Sequence, residues 1–237
     1  MINLKKLHDY GFTIIRNALP EYQYYLDQLI NSNYEVHKEI LWELRLKMKT
    51  HFVKIFNDDN LACSFDTYRM GNSPKLGWHI DQNQSHPDYL SCIQGVLILK
   101  DSNVTHLLSK SHLHFKELSE RISDKNENTW EFYKIPYNDK IWCLNLKIQT
   151  PELKAGDFLL FDSRLVHSVS DCNDRAVIYI SMQPQKYISN CIKRKRKFGF
   201  LKGEQTTHWC DRYIHVTTNG PIRNIIPRKY KDLISDI

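Results

Sequence analysis

Between Leu61 and Met182 the sequence is cut into short apolar runs, and no other feature constrains the fold as strongly. Leu61 to Met70, Tyr89 to Leu99, Ile141 to Ile148, Phe158 to Phe161 and Ala176 to Met182 read as strands separated by turn-rich pieces. The N-terminal part has the other periodicity. Leu4 to Tyr10 reads as a short helix ended at Gly11, followed by a strand from Phe12 to Ile15. Pro20 opens a helix through about Asn31, with Tyr24, Leu26, Leu29 and Ile30 as its apolar positions. A stronger helix runs from about Val36 to Phe56, where Ile40, Leu41, Leu44, Met48, Phe52 and Ile55 recur at spacings of three and four. Ser111 to Ile122 reads as one intervening helix. Helices first and many short strands afterwards make an α+β chain whose sheet part is a sandwich or barrel. The mouth of such a barrel is a natural place for a small molecule.

Within the strand-rich part, Trp78-His79-Ile80-Asp81-Gln82 is answered far downstream by His167 and Arg175. His79 and Asp81 are two residues apart, so on an extended strand both side chains project to one face. An imidazole nitrogen and a carboxylate oxygen can then bind the same small divalent cation. A second histidine from a distant strand completes two nitrogens and one oxygen on one triangular face, the arrangement that leaves three positions open in non-haem Fe(II) oxygenases. The bland alternatives are a surface strand pair for His79 and Asp81, and a half-buried packing histidine for His167.

The larger order of motifs points further. Leu61-Ala62-Cys63-Ser64-Phe65-Asp66 precedes the metal motif. Cys92-Ile93-Gln94-Gly95, Ser109-Lys110-Ser111-His112, Ala155-Gly156-Asp157 and Phe161-Asp162-Ser163-Arg164 follow it. His167, then Arg175-Ala176-Val177-Ile178-Tyr179, and late in the chain Thr206-Thr207-His208-Trp209 complete the series. As a set, covering the chain to about residue 210, this resembles the phytanoyl-CoA dioxygenase-like branch of the Fe(II)/2-oxoglutarate-dependent oxygenases. It is more similar still to a branch found in fungi, algae and large DNA viruses.

The resemblance implies a double-stranded β-helix (jelly roll, cupin-like) with N-terminal helices packed outside. It implies one domain over 1–237, with a helical and strand lead-in over 1–60, a β-helix core over about 61–185 and a C-terminal extension over 186–237. His79, Asp81 and His167 would be the iron ligands, and Fe(II) and 2-oxoglutarate the cofactor and co-substrate. Arg175 would grip the distal carboxylate of 2-oxoglutarate, since a guanidinium offers a planar fork for bidentate contact. Strand parity puts Arg175, Val177, Tyr179 and Ser181 on one face; the competing reading pairs Arg175 with Asp171 or Asp174 at the surface. Gln94 is a buried amide in an apolar run that would line the co-substrate site, or else bond to neighbouring backbone. Tyr68 is a further co-substrate candidate, set against core or rim packing. His112 belongs to a turn that supports structure, and His208 and Trp209 frame the mouth or pack. The chain departs from the family in having Val169 where relatives often carry a hydroxyl residue, and in a shorter step from His167 to Arg175.

The activity implied is hydroxylation of a small-molecule substrate with release of succinate and CO2. Two other classes remain: a non-catalytic metal- or ligand-binding module on the same fold, and zinc hydrolysis, for which no neighbouring glutamate offers a general base. Six scattered cysteines with no Cys-x-x-Cys pair give no support to a zinc ribbon or a thioredoxin site. With no apolar run of about 20 residues and no secretory signal, the expected location is intracellular, cytoplasmic or nuclear, with no membrane partner. The net charge of +6 is partly concentrated in Lys193-Arg194-Lys195-Arg196-Lys197. That run reads as a solvated helix face, with nucleic acid as the less favoured partner, because no groove-reading motif accompanies it. Oligomeric state has no signature in the sequence.

Overall fold

The computed structural model of the chain describes residues 2–31, 39–63, 68–82, 92–123 and 133–187. In chain order these form α1 (Leu4–Tyr10), β1 (Phe12–Ile15), α2 (Tyr22–Asn31), α3 (Glu39–Phe56), β2 (Leu61–Cys63), β3 (Tyr68–Ser73), β4 (Leu76–Ile80) and β5 (Ile93–Ile98). There follow β6 (Thr105–Leu108), α4 (Phe115–Ser123), β7 (Tyr133–Lys134), β8 (Ile148–Gln149), β9 (Phe158–Asp162), β10 (His167–Val169), β11 (Cys172–Tyr179) and β12 (Met182–Pro184). The basic run from Lys193 to Lys197, and His208 and Trp209, lie outside the described residues.

The helix starts and stops follow local chemistry. Asn3 caps α1 by accepting from the Lys6 N–H at 2.8 Å, and Gly11 ends it in a left-handed conformation at φ +84°. A side chain at Gly11 would also run into Leu165 and the His112 ring, so the position needs glycine for two reasons. On α2 the buried residues are Tyr25, Leu26 and Leu29, whereas Tyr24 and Ile30 are exposed. Leu26 and Leu29 are buried as expected, while Tyr25 takes the place of Tyr24 and Ile30 is exposed. Tyr25 is drawn inward because its hydroxyl donates to Glu43 on α3 at 2.8 Å. α3 buries Leu41, Trp42, Leu44, Met48 and Phe52, close to the expected face.

Among the described residues the strands make two antiparallel sheets. The larger runs β1-β9-β5-β11-β3, with β12 beside β5 and β2 beside β12; the smaller runs β7-β4-β10-β6-β8. Three apolar clusters give the layers. One joins α2 and α3 to the outer face of the large sheet through Leu97, Phe158, Leu160 and Ile178. A second lies between the sheets around Val96, Ile98, Leu107, Leu159 and Val177. A third, with Ile80, Leu108, Phe115, Leu118 and Val166, covers the outer face of the small sheet. Helices outside a two-sheet antiparallel roll is the α+β architecture expected.

Two strand expectations need correction, and a third lies partly outside the described residues. Ile141 to Ile148 is a 3-10 helix over Lys140–Leu144 followed by the two-residue β8. Asp139 caps that helix by accepting from the Ile141 N–H at 2.8 Å, and Arg121 holds Asp139 from α4 at 2.8 Å. The run from Ala176 to Met182 is the end of β11 and the start of β12, with a break at residues 180–181. In the run from Leu61 to Met70, β2 and β3 are described and residues 64–67 are not. Among the described residues no helix is long and apolar enough to cross a membrane.

Candidate metal centre and adjoining pocket

Alternation along β4 sorts its side chains between two environments. Trp78 and Ile80 pack outward into the cluster beneath α4, while His79, with Asp81 just past the strand end, faces the space between the sheets. β10 pairs with β4 so that His167 stands directly opposite His79. One ligand-type atom from each of His79, Asp81 and His167 lies within 4.8 Å of the others, and all three residues are buried.

Backbone hydrogen bonds decide the tautomers. His79 Nδ1 lies 2.7 Å from the Gly77 carbonyl oxygen, and His167 Nδ1 lies 3.0 Å from that of Leu165. A carbonyl only accepts, so each Nδ1 carries a proton and donates it. In a neutral ring each Nε2 is then the nitrogen that carries the lone pair. His79 Nε2 is 3.8 Å from Asp81 Oδ1, and His167 Nε2 is 3.3 Å from Asp81 Oδ2. Three electron-pair donors aimed at one point repel each other unless a cation or a proton lies among them. Two imidazoles and one carboxylate suit a divalent first-row metal, and a histidine whose far nitrogen donates to a carbonyl is the usual way such a ligand is aimed. The residues present therefore fit a metal ion.

Supporting side chains lock this geometry. Gln94 Nε2 donates to Asp81 Oδ2 at 2.9 Å. The Phe161 ring packs on His167 with centroids 4.8 Å apart. Gln82, next to Asp81, donates its backbone N–H to the Ser163 carbonyl at 3.1 Å and accepts from the Ser163 hydroxyl at 2.7 Å. That double link ties the Asp81 segment to the turn leading into His167. Sequence reasoning gave Gln82 and Ser163 no role; the available signal was a polar residue directly after one ligand and another four before the next.

A cavity of about 40 Å³ adjoins the triad, several times the roughly 10–15 Å³ that one water requires. His79, Asp81, His167, Gln94, Arg175 and Ser181 supply its polar wall, and Phe161, Val96, Leu76 and Val169 much of its apolar wall. Arg175 is only 5% exposed. Its Nη1 makes one long contact of 3.4 Å to the Ser73 hydroxyl, the Tyr179 ring lies 5.9 Å away, and its buried Nε has no hydrogen-bond partner among the described residues. The carboxylates proposed to pair with it are engaged elsewhere: Asp174 with Lys100 at 2.6 Å, and Asp171 with the Lys75 N–H at 2.6 Å. Burying a guanidinium without an anion is costly, and this one opens on a cavity.

Tyr68 goes the other way. It stands opposite Ile178 on β3 and packs with the helix-side cluster, which agrees with the packing alternative to a co-substrate contact. Residues directly opposite across a strand pair share a face, and Ile178 faces the helices. His112 acts at a distance from the pocket: its Nε2 donates to the His8 carbonyl at 2.9 Å, fastening α1 to the turn before α4. Burial lowers its pKa below the ordinary histidine value.

No protein-family model matches the chain. A curated protein, "Ava biosynthesis cluster protein O" of Aspergillus versicolor, is 25% identical over 272 aligned positions, covering 89% of this chain and 87% of its own. Among solved structures, the epimerase SnoN in complex with Fe3+, alpha ketoglutarate and nogalamycin RO matches with a TM-score of 0.59 at 14% identity, over 77% of this chain and 82% of its own. EctD from S. alaskensis with bound Fe gives 0.56 at 12% identity, over 78% and 76%. HygX from Streptomyces hygroscopicus with nickel and 2-oxoglutarate gives 0.53 at 13% identity, over 78% and 87%. At these identities the likeness is one of fold, and the chain has the double-stranded β-helix fold these proteins share.

Proposed function

We propose that this protein is an Fe(II)- and 2-oxoglutarate-dependent oxygenase of the phytanoyl-CoA dioxygenase-like kind, acting on a small molecule by hydroxylation. The observation that carries the reading is one pocket holding both halves of the required chemistry. Two Nε2 lone pairs and a carboxylate converge at one end, and a buried arginine lacking a counter-anion among the described residues lines the same cavity. The neighbours support it in kind: SnoN and HygX each carry iron or nickel together with the keto acid, and EctD carries Fe in one structure and 2-oxoglutarate in another.

When bound, iron and 2-oxoglutarate supply the oxidising chemistry, in which dioxygen is reduced while the keto acid loses CO2 and becomes succinate. His79 and His167, held in the Nδ1–H tautomer, present neutral nitrogens, and Asp81 brings the negative charge. Arg175 takes the distal carboxylate in its fork, which converts its uncompensated burial into a charge-assisted contact. Phe161, Val96, Leu76 and Val169 exclude water from the space between. No glutamate is among the described residues lining the cavity, which gives zinc hydrolysis no support there.

The test is succinate release in air from protein loaded with Fe(II) and given 2-oxoglutarate. Slow release without added substrate and none with Zn(II) is the expected result. Absence of release with iron, under conditions where iron binds, overturns the enzymatic reading in favour of a binding module. Incorporation of label from 18O2 into a turned-over substrate separates hydroxylation from an epimerisation of the SnoN kind.

A further inference from the structure

Gln94 is the second residue of β5, a strand whose every residue is buried, and it is itself 2% exposed. Family resemblance puts that strand position against the co-substrate. The geometry gives it a different partner: the side-chain amide donates to Asp81 Oδ2 at 2.9 Å, the oxygen that also lies 3.3 Å from His167 Nε2. Gln94 pairs across the strands with Phe161, so the two share the inner face of the large sheet. Phe161 packs its ring on His167. One cross-strand pair of the large sheet thus props two ligand side chains carried by the small sheet, an amide beneath the carboxylate and a ring beneath the imidazole.

We infer that Gln94 is a positioning residue for Asp81, setting the rotation of the carboxylate before any metal or co-substrate arrives; the inference rests on the metal reading above. The torsion that turns a carboxylate about its last bond is broad and weakly restrained by itself. A hydrogen bond to an anion is among the stronger kinds, and here it engages one particular oxygen in a water-poor setting. With Oδ2 held by the amide, the carboxylate cannot turn freely to offer both oxygens equally. It is kept as a single-oxygen ligand, which is what a site needing three open positions requires. His79 and His167 are aimed by backbone carbonyls of their own strands; Asp81, past the end of β4, is aimed from the opposite sheet.

The experiment compares wild type with Gln94→Met, which keeps length and removes the donor, with Gln94→Leu as a second variant should the first not fold. Mn(II) affinity is measured by electron paramagnetic resonance without 2-oxoglutarate, alongside thermal unfolding of the metal-free proteins. Loss of Mn(II) affinity by about 10–100-fold is expected, the usual consequence of removing a partner that orients a ligand. The spectrum of bound Mn(II) should change as well, while the metal-free proteins unfold at similar temperatures. A purely packing role would leave that spectrum unmoved. Mn(II) affinity and spectrum matching wild type, with only 2-oxoglutarate binding weakened, would overturn the inference and return Gln94 to the co-substrate. Failure of the wild type to bind Mn(II) would bring down the metal reading itself, and this inference with it.

Discussion

Along the segment from Arg175 to Ser181, alternate residues belong to two different interiors. Ala176, Ile178 and Ile180 pack against the helices, whereas Arg175, Val177, Tyr179 and Ser181 face the space between the sheets. β5 and β9 divide the same way, with Ile93, Leu97, Phe158 and Leu160 on the helix side, and Gln94, Val96, Leu159 and Phe161 on the inner side. The helix side of these three strands is apolar along its length. The inner side is apolar at one end, and at the other carries Gln94 and Arg175, facing the two histidines and the aspartate of the small sheet. A cluster of mutually repelling acceptors and a buried guanidinium cost stability in the metal-free protein. The helix-side core offsets that cost through the same strands. Stability and chemistry are thereby assigned to opposite faces of one sheet, and substitutions can pull the two apart.

The largest effect belongs to the inner face. Asp81→Ala should abolish Mn(II) or Fe(II) binding in calorimetry while the metal-free protein unfolds at the wild-type temperature or above it. The change removes one member of a repelling set, and that relief offsets the loss of the hydrogen bond from Gln94. A fall in metal-free stability as large as that of a core deletion would break the division between the faces. Phe158→Ala on the helix side should do the reverse, costing about 3–5 kcal/mol in denaturant unfolding, as buried aromatic truncations do. Its ring packs edge-on against Phe52 at 5.9 Å, within the helix-side cluster. Metal affinity of the protein that remains folded should stay within about a factor of two of wild type. Arg175→Lys comes next: 2-oxoglutarate affinity should drop by about tenfold, or about 1.4 kcal/mol, with Mn(II) affinity intact. An ammonium keeps the charge and loses the fork. Equal co-substrate affinity in the two proteins would move the anion site to another residue.

What could be read in the sequence follows the range of the physics. The inner-face parity of Arg175, Val177, Tyr179 and Ser181 is a two-residue period, and it was legible. So was α1, because Gly11 supplies its own stop. The spacing of His79 and Asp81 showed that they share a side. Nothing local says that His167 is the residue opposite His79, which is a matter of register between segments 88 positions apart. The choice between packing and co-substrate contact at Tyr68 was open for the same reason, since its face is set by its partner Ile178. The apolar texture from Ile141 to Ile148 suits a strand by composition. Its fate is decided by Arg121 holding Asp139, and by Trp142 packing on Trp78 with ring centroids 5.5 Å apart. Gln82 and Ser163 escaped notice because their value lies in their link across the site.

The smallest expected effect tests whether His112, outside both faces, is a stabilising clasp. Its Nε2–H donates to the His8 carbonyl, and its Nδ1 is buried without a partner against Gly11. Burial acts most strongly and lowers the pKa from 6.5; Asp162 and the bond to the His8 carbonyl favour the charged ring, while the charges of Arg164 and His8 oppose it. Above the unfolded value of about 6.5 the ring is neutral in both states, and the clasp contributes in full. As pH falls below that value the unfolded chain takes up a proton that folded His112 refuses. Stability is therefore lost from about pH 6.5 down to the folded pKa, and this contribution is level below it. His51, which burial also pushes down, has the same sign. The informative quantity is thus the difference between proteins: unfolding temperature followed from pH 8 to pH 5 should fall less steeply in His112→Gln than in wild type. The variant should also start from a lower value at pH 8, because its shorter side chain loses the bond to the His8 carbonyl. Parallel curves for the two proteins would show that His112 takes its proton equally well folded and unfolded, and the pH dependence would then belong to His51 and the carboxylates.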